Sequence, residues 1–165
     1  MDKNLLNDIL LKLKKMGCDE SDVFFSQVEN ISASSRLGKI EKTEESQTSE
    51  IGIRAIVDKK QSIVSTTNLE KKNIDQLVEK VFQMAKVVPE DKFCGLADES
   101  DVKKSDINDV LNLDLSDPYK PKMEEIKKNV IALEESALTN KKITNSEGAE
   151  VAYSKNSFCL LGSNG

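Results

Sequence analysis

Histidine and tryptophan are absent from the 165 residues, and aromatic side chains make up only 4% of them. Without an imidazole, every mechanism that needs a histidine ligand or base is excluded, and no side chain has an unperturbed pKa near 6.5 for proton transfer. Cysteine is scarce as well. Cys18, Cys94 and Cys159 are odd in number, far apart and form no CxxC pair. That pattern points to a reducing compartment, hence the cytoplasm, with the thiols serving as small apolar residues. A three-thiolate zinc site would require all three to converge. No apolar run approaches the roughly 20 residues of a membrane helix. The stretch Met1 to Leu13 is charged and amphipathic and has no small-residue cleavage site, which argues against a secretory signal. Positive charge is also in deficit: 24 Lys+Arg against 29 Asp+Glu leave −5. An acidic chain of this kind is not built to coat nucleic acid.

What is present is a chain with 38% hydrophobic residues, suited to one modest core. Leu5, Leu6, Ile9, Leu10, Leu13 and Met16 recur at helical spacing, with Asp2 as N-cap and Gly17 as stop. The period then changes to two. Four runs rich in β-branched residues, Ser and Thr follow at 23–34, 37–47, 51–57 and 62–67. Short links between them, among them Leu37-Gly38-Lys39 and Asp58-Lys59-Lys60-Gln61, force an antiparallel meander. Ile51, Ile53, Ala55 and Val57 alternate with Gly52, Arg54 and Ile56, the pattern of a strand with one buried face.

Thr67 and Glu70 have capping-box spacing. A helix with Ile74, Leu77, Val78, Val81, Phe82 and Ala85 on one stripe is expected after them, ended by Pro89. Residues 90–117 hold nine acids and three lysines and read as a solvated acidic connector, pinned by Phe93, Leu96, Ile107, Val110, Leu111, Leu113 and Leu115. Calcium-loop spacing is absent there. A third helix is expected after Pro121, with Met123, Ile126, Val130, Leu133 and Ala137 inward. Ile143–Ser146, Val151–Ser154 and Phe158–Leu161 read as further strands. The expected fold is α+β: a mainly antiparallel sheet of about six strands, with two or three helices packed on one face. Ile51, Ile53, Ala55 and Val57 would meet the stripes of the second and third helices.

Candidate chemistry is sparse. The acid pairs Glu44-Glu45, Glu124-Glu125 and Glu134-Glu135 are sequence neighbours, which do not converge on a helix. Serine lacks a base, and neither GxxxxGK[ST] nor GxGxxG occurs. No catalytic and no metal-ligating residue is assigned. Arg36, Arg54 and Asn145, polar residues on or beside strands, are the candidates for substrate contact.

Several segments together resemble the N-terminal region of the PmbA/TldD family. They are Arg36-Leu37-Gly38-Lys39-Ile40-Glu41, Gly52-Ile53-Arg54-Ala55-Ile56-Val57, Ser65-Thr66-Thr67-Asn68-Leu69, Pro89-Glu90-Asp91 and Gly95-Leu96-Ala97-Asp98. Asp114-Leu115-Ser116-Asp117-Pro118 and the run from Lys142 to Ala149 resemble the PmbA (TldE) branch in particular. The resemblance spans Ser21 to Gly165 and rests on order and spacing, since no single motif is specific.

The resemblance implies a two-subunit cytoplasmic metalloprotease that degrades unfolded peptides in a closed chamber, with links to antibiotic maturation and to modulation of DNA gyrase. Zinc would sit in the TldD-type subunit, on a His-Glu-x-x-x-His motif and a later cysteine. This chain has no such motif, so it holds no cofactor of its own. Cys159 precedes the region of the family's cysteine and does not inherit its role. The expected role over 1–165 is a non-catalytic PmbA-type subunit, or its N-terminal fragment, lacking the later metalloprotease-like domain. Its partners would be a TldD-type subunit or a second copy, with unfolded peptide as substrate, added at a sheet edge. The other reading is a free-standing module that binds a protein such as DNA gyrase, or a remnant without function. The final Gly162-Ser163-Asn164-Gly165 follows an apolar strand. This suggests either that the chain is the first part of a longer protein or that it pairs with another polypeptide. Alternatively, the strand pairs internally and its last residues fray.

Overall fold

A computed structural model describes residues 3–98 and 113–164. The elements run α1 (Lys3–Met16), β1 (Glu20–Arg36), β2 (Lys39–Val57), β3 (Lys60–Thr66), α2 (Lys71–Val87), α3 (Met123–Leu138) and β4 (Ala149–Gly162). The strands form one sheet in the order β3-β2-β1-β4. The fold is α+β with an antiparallel sheet, but the sheet has four strands rather than about six. Two expected breaks do not exist: β2 runs unbroken through Ser46 to Glu50, and β4 through Ser154 to Ser157. Polar residues there imitate a loop, yet neither stretch contains a Gly or Pro to interrupt pairing, and a strand with a solvated face tolerates them. Ile143–Ser146 is not a strand.

The chain divides into two compact units. One comprises Met1–Gln27, Ser49–Asp109 and Ser157–Gly165. Its core joins Leu6, Ile9, Leu10 and Leu13 of α1, Ile74, Val78, Val81, Phe82 and Ala85 of α2, and Val23, Ile51, Ile53, Ala55 and Val57 of the sheet. The partners of the Ile51–Val57 face are therefore the first and second helices, not the second and third. Gly17, at φ 95°, closes α1. The Cys18 amide donates to the Leu13 carbonyl at 3.0 Å and the Gly17 amide to the Lys14 carbonyl at 3.1 Å, the Schellman pairing. The Asp2 cap lies outside the described residues. The Thr67–Glu70 capping box does not form. Instead Thr66 Oγ1 accepts from the Asn68 amide and Asn68 Oδ1 from the Glu70 amide, each at 3.0 Å. These short Asx-type turns delay the helix to Lys71.

The β2–β3 register sets Ile51 opposite Thr66, Gly52 opposite Ser65, Arg54 opposite Ile63 and Val57 opposite Lys60. The link is thus the two-residue turn Asp58-Lys59, both at positive φ. β4 runs antiparallel to β1: Ser163 bonds to Ser21, and the rings of Phe158 and Phe24 stack 6.1 Å apart. Ser62 Oγ donates to the Val81 carbonyl at 2.6 Å, and Lys12 pairs with Asp75, tying α1 to α2. The start of the acidic connector is held by hydrogen bonds. The Asp91 amide donates to the Lys59 carbonyl at 2.7 Å and the Leu96 amide to Glu20 Oε2 at 3.1 Å. Phe93, expected as an anchor, is 85% exposed, while Cys94 is buried. Ile107, Val110 and Leu111 lie outside the described residues.

The other unit comprises Val28–Thr48 and Val110–Asn156. Ile31 and Ala33 of β1 pack on Ile126 and Val130 of α3, flanked by Ile40, Met123, Val151 and Tyr153. Leu113 and Leu115 are exposed rather than pinning. The chain entering α3 is held by polar contacts: Lys120 to Glu29 at 2.7 Å, and the Tyr153 hydroxyl donating to the Tyr119 carbonyl at 3.1 Å. The buried stripe of α3 is Ile126, Val130 and Glu134. Leu133 and Ala137, both expected inward, are exposed.

Candidate functional site

Alternation along the strands of the first unit produces two faces. The odd residues of β2 face the helices. The even ones, Glu50, Gly52 and Arg54, lie on the opposite face beside Asp22 and Phe24 of β1, Ile63 and Ser65 of β3, and Leu160 of β4, around a shallow groove of about 470 Å³. Four large apolar side chains are exposed on this face: Phe24 at 43%, Ile63 at 65%, Phe158 at 72% and Leu160 at 62%. Isolated apolar residues on a surface are ordinary, but a contiguous group marks an interaction surface.

Two features shape the groove. Arg54 is only partly exposed, and its guanidinium reaches across to β1. Its Nε donates to Asp22 Oδ2 at 2.9 Å, and a second nitrogen also bonds that oxygen. The cation is therefore neutralised and fixed. Gly52 supplies a dip. A Cβ there would meet only the Phe24 carbonyl oxygen, at 3.9 Å, and the backbone is not left-handed. Neither sterics nor φ requires a glycine at this position, although glycine weakens a strand.

Of the three candidate contacts, Arg54 is thus in a groove, paired with Asp22. Arg36 and Asn145 belong to the other unit. Arg36 ends β1 beside the hairpin turn, and Asn145 is exposed in the segment before β4. The three do not constitute one site. The concavity between α1 and α2, about 360 Å³, is bordered by the Lys12–Asp75 pair, with Lys15 and Glu79 beside it. It offers mixed charge and no reactive group.

The residue that sequence reasoning missed is Glu134, which is 2% exposed. Its Oε1 accepts from the Leu37 amide at 2.8 Å. Its Oε2 accepts from the Gly38 amide and the Ser35 hydroxyl, each at 3.1 Å. These donors sit at the β1–β2 turn, where Leu37 and Gly38 both adopt positive φ. The Gly38 amide leads in holding the carboxyl below its usual range, helped by Leu37, Ser146 and Ser35 and opposed by burial. A carboxylate spent on two backbone amides and a hydroxyl fixes a turn and is not a proton-transfer group. One signal could have revealed it: Ile126, Val130 and Glu134 continue a single i+4 row.

The cysteines are structural where their contacts are visible. Burial pushes the Cys18 thiol up, and its sulfur donates to the carbonyls of Glu20 and Ile56 at 3.0 and 3.2 Å. Among the described residues no three Cys, Asp or Glu side chains converge as a metal site. No described helix is long and apolar enough to cross a membrane.

Residues 21–85 match the family model described as PmbA/TldA metallopeptidase domain 1. A relative from Escherichia coli O157:H7, the metalloprotease PmbA, is 29% identical over 139 residues, 84% of this chain. The chain spans only 30% of that relative's length. TldE from Thermococcus kodakarensis has the same fold, with a TM-score of 0.71 at 18% identity, over 96% of this chain and 35% of its own. A protein from Bacteroides thetaiotaomicron, proposed to modulate DNA gyrase, is similar at a TM-score of 0.73 and 18% identity, over 99% of this chain and 37% of its own. Over residues 21–85 the chain is thus similar to the first domain of the PmbA/TldA metallopeptidases, and it shares its fold with TldE.

Proposed function

We propose that the chain serves as a non-catalytic PmbA-type subunit, or the N-terminal part of one, in a cytoplasmic zinc peptidase that degrades unfolded polypeptides. The carrying observation is a match of residues 21–85 to the family's first domain in a sequence with no histidine. Such a chain has no imidazole with which to ligate zinc or shuttle protons. Zinc and the hydrolytic step belong to a TldD-type subunit, and this chain contributes wall and contact surface. The exposed apolar face supports a role in contact rather than chemistry.

Association is the test. Purified chain mixed with a purified TldD-type subunit is expected to co-elute on size exclusion, with zinc in the mixed peak and none in this chain alone. Separate elution at micromolar concentration would contradict the proposal. The −5 charge favours a second reading, a module that contacts a basic protein surface such as one on DNA gyrase. Binding to gyrase that weakens steeply with salt, without binding to the TldD-type subunit, would select it.

A further inference from the structure

We infer that the open face of the first unit binds an extended apolar polypeptide segment, which seats one bulky side chain over Gly52 and places a basic residue near Glu50. The inference rests on the proposed peptidase role, because it concerns the substrate such an assembly handles.

The geometry supports it in three ways. First, the dip over Gly52 lies among the apolar side chains of Phe24, Ile63 and Leu160, with the paired Arg54 and Asp22 and the carboxylate of Glu50 at its border, and is floored by backbone. The fold gains nothing from a glycine there, whereas an incoming side chain gains a cavity to fill. Second, the size suits a short segment. Taking about 150–250 Å² for a large side chain, the exposed parts of Phe24, Ile63, Phe158 and Leu160 amount to about 450 Å². Each side of a stable protein pair buries roughly 800 Å², so a second copy of the chain would be held weakly here. A volume of about 470 Å³ suits two or three residues of peptide. Third, the charge is unbalanced. Asp22 already satisfies Arg54, whereas Glu50 is exposed and has no ion-pair partner among the described residues. An apolar segment carrying Lys or Arg complements this arrangement.

The probe is a fluorescein-labelled synthetic decapeptide with alternating Leu and Phe and one Arg, titrated with the intact 165-residue chain and followed by anisotropy. Saturable binding is expected. Gly52→Trp fills the dip and should weaken it by about tenfold or more, the loss of a central anchor. Ile63→Ser removes a largely exposed side chain, leaves the melting temperature in place and should weaken binding in the same direction. Lys71→Ala, distant on α2, should not. A peptide with Ser in place of Leu and Phe should not bind. No binding, or binding indifferent to both Gly52→Trp and Ile63→Ser, overturns the inference. So does a concentration-dependent dimer that Gly52→Trp abolishes, because a second copy would then own the face. Co-elution with a TldD-type subunit is measured separately, so either reading can fail while the other stands.

Discussion

Ile53→Asp is expected to leave the chain unfolded, with its far-UV circular dichroism collapsed and no cooperative urea transition. Ile53 is fully buried at the centre of the face that β2 presents to α1 and α2. Losing an apolar side chain there removes about 1.5–3 kcal/mol. Leaving an ionised carboxylate in its place, with no partner, adds several kcal/mol more. Together they approach the roughly 5–15 kcal/mol that holds a typical domain together. The same change at Ile63, which lies on the other face and is 65% exposed, should barely move the melting temperature. A soluble Ile53→Asp chain that melts like the original would remove the assigned core face.

Glu134→Gln is expected to lower the melting temperature substantially and, more tellingly, to flatten the pH dependence of stability. The neutral amide keeps one acceptor oxygen but brings an NH₂ group toward the donors Leu37 N, Gly38 N and Ser35 Oγ. Two backbone donors of the turn then lose a charged acceptor. The sign for pH follows from the lowered folded pKa. The native state holds the proton less tightly than the unfolded chain, so the stabilisation is present above the ordinary carboxyl range. It is lost as the pH falls through the folded value. Urea midpoints measured from pH 7 to pH 3 should decline in the original chain and decline less in the variant. Parallel declines would show that the carboxylate contributes nothing specific at that turn.

These two residues mark how far the sequence was legible. Ile53 announces itself, because strict alternation of Ile51, Ile53, Ala55 and Val57 has one meaning in a strand. The α1 stop at Gly17 and the stripe of α2 were readable for the same reason: their signals are local. Glu134 was not, because its partners lie almost a hundred residues away and a carboxylate on a helix is ordinarily solvated. Leu133 carried the apolar signal beside it and is exposed. The strand count failed for a related reason: at Ser46–Glu50 and Ser154–Ser157 pairing is dictated by backbone and neighbours, not by side-chain polarity. Thr67 and Glu70 had the right spacing for a cap, but the side chains of Thr66 and Asn68 took the nearby amides first.

The candidate site divides in the same manner. Arg54 was identified as a polar strand residue, and its ion pair with Asp22, 32 positions away, could be found only in three dimensions. The grouping of Phe24, Ile63, Phe158 and Leu160 on one face required the order β3-β2-β1-β4, which places β4 beside β1. The lack of an imidazole, by contrast, follows from composition alone.

The most direct measurement is hydrolysis of an unfolded polypeptide, such as reduced and alkylated casein. It would be assayed with this chain alone, with a TldD-type subunit alone, and with the two mixed, each with and without a zinc chelator. The account predicts no cleavage by this chain by itself and chelator-sensitive cleavage that is greatest in the mixture. Cleavage by the pure chain that stops on adding the chelator would contradict it.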